Sequence, residues 1–345
     1  MSEDKRKNDI AEGQDDGTTK ESRRDFLKKL GVADAATTVA PAATAKAASI
    51  AEHLQTQFEM MSDSQKEKAI ARLEKRYSEQ FEEQVTVAGT PAPEGVLFGY
   101  ALNISKCIGC RRCVEACVRE NNQSRDPAIQ WIRVLQMARG NDTFQLEDLH
   151  KGTPSSSPIG DYGVQSGGHA DKALGVSGHT EHYYEPELVP EENAFYFPVQ
   201  CQQCEDPACV RACPVRATYR DPNGIVVIDY NWCIGCRMCQ LACPYWARRF
   251  NWSEPVLPNE EMNPKTHYLG NRPRMRGVME KCTFCLQRVR DGRYPACVEA
   301  CPVGARKFGN LLDPESEVRK ILANKKVFRF KEDFNTEPKF FYYMD

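Results

Sequence analysis

Sixteen cysteines fall into four groups of four, with none left over. The first group is Cys107, Cys110, Cys113 and Cys117, and the second is Cys201, Cys204, Cys209 and Cys213. The third is Cys233, Cys236, Cys239 and Cys243, and the fourth is Cys282, Cys285, Cys297 and Cys301. Groups one and three run C-x2-C-x2-C-x3-C, and Pro244 follows group three. Groups two and four stretch an inner gap yet keep the ending C-x3-C-P, at Pro214 and Pro302. Thiolates at this spacing suit a cubic iron–sulfur cluster. Three sulfurs two residues apart wrap one cube because the loop between them curls around it. Gly109 and Gly235 let the backbone come close and aim N–H groups at the sulfurs. The fourth cysteine, read as the start of a helix leading away, reaches the neighbouring cube. Proline after it fixes the turn and removes a competing N–H.

Zinc and disulfides are the competing uses of so much thiol. Zinc takes four thiolates as two C-x2-C pairs, and a third cysteine two residues on is redundant for a tetrahedral ion. Disulfides between such close thiols are strained and ambiguous. Internal repeats favour clusters. Cys107 to Cys117 and Cys233 to Cys243 share 8 of 11 positions, and Cys209 to Ala217 and Cys297 to Ala305 share 7 of 9. The chain therefore reads as two copies of a two-motif module. Charge agrees: residues 196–310 hold 13 Arg and 3 Lys against 10 Asp plus Glu, an excess of +6. Crowded cluster anions need such fixed cations.

The elements that must position these groups can be read from the intervening residues. A strand is expected at Val96–Ile104, a second at Ile129–Leu135 and a third at Phe195–Phe197. The turn Asp221-Pro222-Asn223-Gly224 leads into Ile225–Ile228 as a β-hairpin. Cysteine loops at strand ends, each followed by a helix, make an α+β arrangement of ferredoxin-like β-hairpin and helix units. Groups two and three are separated by 19 residues, groups one and two by 83, and groups three and four by 38. The local pair is thus two with three, and groups one and four close around it. The expected fold is two interleaved bacterial-ferredoxin-like modules: an outer one at 91–137 and 270–345, and an inner one at 196–269.

The remaining segments lack cysteine. Ser22-Arg23-Arg24-Asp25-Phe26-Leu27-Lys28, followed by an Ala/Thr-rich stretch, resembles a twin-arginine export signal within a leader at 1–48. That route carries folded proteins and implies a periplasmic location. Residues 49–90 read as a helical arm, with apolar stripes at Ile50, Leu54, Phe58 and at Ile70, Leu73, Tyr77, Phe81, restarted by a capping box at Ser64 and Glu67. The arm packs either on its own domain or on a partner. Residues 138–195 form a long inserted loop rich in Gly and Ser, with His150, His169, His179 and His182. It reads as a solvated or partner-covering segment, with a metal or haem contact as the alternative. A helix capped by Asp313 with Pro314 at its first position, a strand at Val327–Phe330 and an aromatic tail at 338–343 complete the chain.

Composition bounds the function. The 345 residues, 39.1 kDa in all, are enough for about two domains. Lys plus Arg is 46 against 48 Asp plus Glu, which excludes a generally basic nucleic-acid binder. No apolar run reaches the roughly 18 residues of a membrane span, so no transmembrane segment of its own is expected.

Taken with the C-P-x-x-A endings, the Gly224-Ile225-Val226 hairpin and the Thr336-Glu337-Pro338 tail, the four groups resemble the four-cluster iron–sulfur subunits of the dimethyl sulfoxide reductase and polysulfide reductase class. Residues from about 95 to 345 carry the resemblance, and the leader suggests the exported NrfC-like, hydrogenase-associated or DsrO-like members. The resemblance implies four [4Fe–4S] clusters with crossed ligand sets. Cys107, Cys110 and Cys113 would join Cys301, and Cys282, Cys285 and Cys297 would join Cys117. Cys201, Cys204 and Cys209 would join Cys243, and Cys233, Cys236 and Cys239 would join Cys213. Val118 departs from the pattern, because the other three groups have proline there. The implied function is electron relay, with no catalytic residues of its own. Its implied partners are a polytopic quinone-reactive membrane subunit and a molybdenum-type catalytic subunit or multihaem cytochrome. A free soluble polyferredoxin and a zinc-thiolate assembly scaffold are the alternatives.

Overall fold

A computed structural model describes residues 62–138 and 194–345. The leader, the first half of the arm with Ile50, Leu54 and Phe58, and residues 139–193 with all four of their histidines lie outside the described residues. In chain order the elements are α1 (Asp63–Phe81), β1 (Thr86–Ala88), β2 (Phe98–Asn103), α2 (Arg112–Glu120), β3 (Arg133–Ala138) and β4 (Ala194–Val199). Then come α3 (Ala208–Arg211), β5 (Thr218–Arg220), β6 (Val226–Ile228), α4 (Met238–Leu241), β7 (Arg249–Phe250), β8 (Lys265–His267) and β9 (Met279–Glu280). The chain ends with α5 (Leu286–Val289), α6 (Ala296–Glu299), β10 (Arg306–Asn310), α7 (Glu317–Asn324), β11 (Val327–Arg329) and β12 (Phe340–Tyr343). The content is mixed α and β, with short strands and mostly short helices.

The largest sheet has four strands in the order β10-β2-β12-β11. Every residue of β2 is buried, as an interior strand covered on both faces requires. Tyr100 of β2 lies opposite Phe308 of antiparallel β10 and Phe340 of parallel β12. Its ring stacks on Phe340 with centroids 4.5 Å apart, and Phe197 stacks on Tyr342 at 4.6 Å. The aromatic tail is therefore an internal strand of this sheet, with Phe340 and Tyr342 buried completely. It is unavailable for a partner.

Helix α1 starts two residues earlier than the sequence suggests. Ser62 caps it, accepting from the Gln65 backbone N–H at 3.4 Å, and the Gln65 side chain accepts from the Ser62 N–H at 3.0 Å. Gln closes a capping box as well as Glu does, so Ser62 takes the role expected of Ser64. Ala69, Leu73, Tyr77 and Phe81 recur every fourth residue and are buried in the chain's own core. The Tyr77 hydroxyl donates to the Pro273 carbonyl at 3.0 Å. This half of the arm is thus an integral part of the fold.

Strands β3 and β4 pair antiparallel from Arg133↔Val199 to Ala138↔Ala194, bringing the two ends of the 139–193 segment together. β3 begins four residues later than expected. Ile129, Trp131 and Ile132 are buried ahead of it, held by a hydrogen bond from Trp131 Nε1 to Glu280 Oε2 at 3.0 Å. The hairpin β5–β6 forms at the Asp221–Gly224 turn, where the Gly224 N–H donates to the Asp221 carbonyl at 2.8 Å. Helix α7 is capped by Ser316, not Asp313. Asp313 instead accepts from the Glu315 N–H at 2.9 Å and closes a turn ahead of the helix. Among the described residues no helix is long and apolar enough to cross a membrane.

Candidate functional site

Each cysteine group is built from one loop and one helical turn. The third cysteine sits on the helix: Cys113 on α2, Cys209 on α3, Cys239 on α4 and Cys297 on α6. The fourth follows four residues later, just past the turn for Cys213, Cys243 and Cys301 and within the longer α2 for Cys117. The expectation that it opens a helix is therefore wrong. Proline after Cys213, Cys243 and Cys301 lacks an N–H and bars the preceding residue from helical geometry, so α3, α4 and α6 stop after four residues. Val118 imposes no such stop, and α2 runs nine residues to Glu120.

The residue before the second cysteine has left-handed backbone in all four groups: Gly109 at φ +69°, Gln203 at +48°, Gly235 at +71° and Phe284 at +56°. That conformation turns peptide N–H groups inward. Gly109 N–H donates toward Cys107, Gly235 N–H toward Cys233 and Phe284 N–H toward Cys282. The Met279 N–H adds a further bond to Cys233 Sγ at 3.5 Å.

No disulfide joins any of the sixteen cysteines. One cavity of about 340 Å³ is lined by Cys107, Cys110 and Cys113 from group one together with Cys301 from group four. A second, of about 280 Å³, is lined by Cys233, Cys236 and Cys239 from group three together with Cys213 from group two. In the other two groupings the thiols lie near enough to act on one another electrostatically. Burial, then Cys285, Cys282 and Cys297, push the Cys117 thiol well up. Burial pushes Cys204 up to about 12, with Cys201, Cys209 and Cys243 adding to it and a hydrogen bond to Thr336 opposing it. Cys113 is likewise pushed up to about 12, chiefly by burial. Bare thiols in such crowded, dry positions stay protonated, whereas coordinated iron holds them as thiolates.

Further polar groups converge on the same sulfurs. Gln123 Nε2 donates to Cys117 Sγ at 3.2 Å, and Asn121 Nδ2 lies 3.5 Å from Cys285 Sγ. Arg248 and Arg306 are almost wholly buried, and Arg248 Nε and Nη2 and Arg306 Nη2 have no acceptor among the described residues. Orphaned cationic N–H groups amid clustered thiols fit an anionic iron–sulfide guest. Among the described residues no three His, Cys, Asp or Glu side chains converge as a single metal ion would require; two of the cysteine sets surround open volumes. A [4Fe–4S] cluster bound there supplies reversible one-electron storage, while the chain holds it and tunes its potential. None of these arginine, asparagine or glutamine partners is evident from cysteine spacing. The one legible signal is that Arg248 and Arg306 each stand five residues after the last cysteine of a group.

Comparison with known proteins points the same way. A model of a 4Fe–4S dicluster domain matches residues 192–273 and 271–311, and a model of a 4Fe–4S binding domain matches residues 104–117. A dimethyl sulfoxide reductase iron–sulfur subunit from Halobacterium salinarum is 40% identical over 71% of this chain and 78% of its own length. The iron–sulfur cluster-binding subunit of menaquinone reductase from Nitratidesulfovibrio vulgaris is 32% identical over 72% of this chain and 88% of its own. Protein NrfC of Escherichia coli is 29% identical over 74% and 84% respectively.

Proposed function

The chain belongs to the iron–sulfur electron-transfer subunits of the dimethyl sulfoxide reductase and polysulfide reductase class, and from that membership we propose that it relays electrons through four [4Fe–4S] clusters between a quinone-reactive membrane subunit or cytochrome and a catalytic subunit. It is an electron-transfer subunit of a respiratory oxidoreductase complex and not itself the catalytic chain. The observation that carries the four-cluster reading is the meeting of cysteines from different groups, as where Cys301 joins Cys107, Cys110 and Cys113. The same crossing favours the interleaved arrangement, with groups one and four outside and two and three inside. Pairing of β2 with β10, and packing of α2 on α6 and of α3 on α4, agree with it.

Electrostatic influence between the proposed sets suggests their order. Cys209 of one set acts on Cys239 of the next, Cys201 on Cys282, and Cys297 on Cys113. The implied row runs from the Cys233 set through the Cys201 and Cys282 sets to the Cys107 set. Electrons would enter and leave at the two ends of that row: Cys236 at one end is the exposed cysteine, and Cys107 and Cys301 at the other are half-buried, as is Cys209 between them.

The twin-arginine segment supports export of the folded chain to the periplasmic side, peripheral to the membrane. Mild solubilisation of membranes holding a tagged chain tests both readings. The chain is expected in a stable complex with a polytopic membrane subunit and a further redox protein. The Arg23→Lys, Arg24→Lys double variant is expected as folded, iron-loaded protein in the cytoplasm. Recovery of the native chain solely as a soluble monomer would favour a free polyferredoxin, and unchanged export of the double variant would remove the periplasmic assignment.

A further inference from the structure

Arg248 and Arg306 occupy equivalent places in the repeat, five residues after Cys243 and Cys301. Groups one and two carry Asn122 and Thr218 at that place, so each pair of groups has one arginine. Both guanidinium groups are buried, and among the described residues neither meets a carboxylate. Arg248 Nη1 donates to Thr218 Oγ1 at 3.2 Å, leaving Nε and Nη2 without an acceptor. Arg306 Nη1 donates to Tyr100 Oη at 3.1 Å and Gln200 Oε1 at 3.0 Å, leaving Nη2 without one. A buried charge needs compensation, and the charges within reach are sulfurs. Arg248 reaches, through Thr218, the cavity of Cys213, Cys233, Cys236 and Cys239 that Thr218 lines, and acts electrostatically on Cys209, Cys239, Cys243 and Cys201, while Arg306 acts on Cys113 and Cys297. In both cases the sulfurs come from two different ligand sets.

Tyr100 extends the reach of Arg306. Its hydroxyl lies 3.4 Å from Cys297 Sγ. A guanidinium can only donate, so the Tyr100 oxygen accepts from Arg306 and its single proton remains for the sulfur. Arg306 also lines the cavity of Cys107, Cys110, Cys113 and Cys301. The path therefore runs from that cavity through Arg306 and Tyr100 to a ligand of the neighbouring set.

We propose that Arg248 and Arg306 are shared counter-cations, each setting the reduction potentials of both clusters in its pair, and that Tyr100 carries the influence of Arg306 to the cluster held by Cys297. This rests on the four-cluster reading above. Reduction adds one electron to a cluster and neither makes nor breaks a bond. A fixed cation favours the more negative, reduced form. Placed between two clusters, it also weakens their mutual repulsion when both hold an electron. Hydrogen bonds to a ligand sulfur act in the same direction.

The test is a redox titration of the native complex followed by electron paramagnetic resonance, with iron and sulfide measured first. Arg306→Met is expected to lower two of the four potentials, each by at least the 59 mV that corresponds to a tenfold one-electron change, and to leave the other two in place. Arg248→Met is expected to move the complementary two. Tyr100→Phe is expected to lower one of the Arg306 pair, and Arg306→Lys to restore part of the Arg306→Met shift. Unchanged potentials in iron-replete Arg306→Met, or a uniform shift of all four, would overturn the proposal. Should Arg306→Met lose iron, Tyr100→Phe decides, since unchanged potentials there overturn it equally. Wild-type protein short of four clusters would defeat the underlying reading instead.

Discussion

At the scale of single residues, Gly235 shows how narrowly a cysteine loop is constrained. A Cβ there would sit 2.1 Å from the Gly277 carbonyl oxygen, and φ is +71°. The left-handed backbone alone costs a side chain roughly 1–2 kcal/mol, and here backbone must also move. Gly235→Ala is expected to lose the cluster of Cys233, Cys236 and Cys239, reducing bound iron by about a quarter. Gly292→Ala, also at positive φ but with nothing near the added Cβ, is expected to keep full iron. Equal iron in both variants would show that the loop tolerates the displacement. Gln203 and Phe284 hold the same conformation because tertiary partners anchor them. Gln203 Nε2 donates to the Cys282 carbonyl at 2.7 Å and its Oε1 accepts from Val226 at 2.8 Å, while the Phe284 ring meets Phe308 edge-on at 5.3 Å. The two glycines are legible in the sequence because their role is local. Tyr100 is not, because its partner Cys297 lies 197 residues away in the chain.

Among elements, the cysteine helices divide by the residue after the fourth cysteine. Proline ends three of them, and Val118 lets the other continue; that difference is visible in the sequence and needs no tertiary knowledge. The apolar stripe of α1 is equally visible, but a stripe does not say what covers it. Leu73, Tyr77 and Phe81 cover the chain's own core. Leu73→Ala is therefore expected to destabilise the protein by about 2–5 kcal/mol, shortening the time for which cluster absorbance survives at elevated temperature. Unchanged survival would mean that α1 is a detachable arm. The placement of β12 was hidden for the opposite reason. Phe340–Tyr343 is aromatic throughout, which suits many surfaces, and only its parallel pairing with β2 fixes it inside the sheet. Cap positions shifted by local competition, as when Ser316 displaced Asp313.

Across the whole molecule, the proposed cluster sets cross between cysteine groups, as where Cys301 lines one cavity with Cys107, Cys110 and Cys113. A cluster set completed from a distant group ties remote segments together, so cluster loading and folding are linked. The cations follow the same plan: Arg248 and Arg306 are buried almost completely, with guanidinium N–H groups that find no acceptor among the described residues, as an anionic guest would explain. Chemical content is therefore the most direct test. Iron, acid-labile sulfide and zinc should be determined on anaerobically purified protein. Four cubes require about sixteen iron and sixteen sulfide per chain. Stoichiometric zinc without iron, or thiols closed as disulfides in active protein, would contradict it.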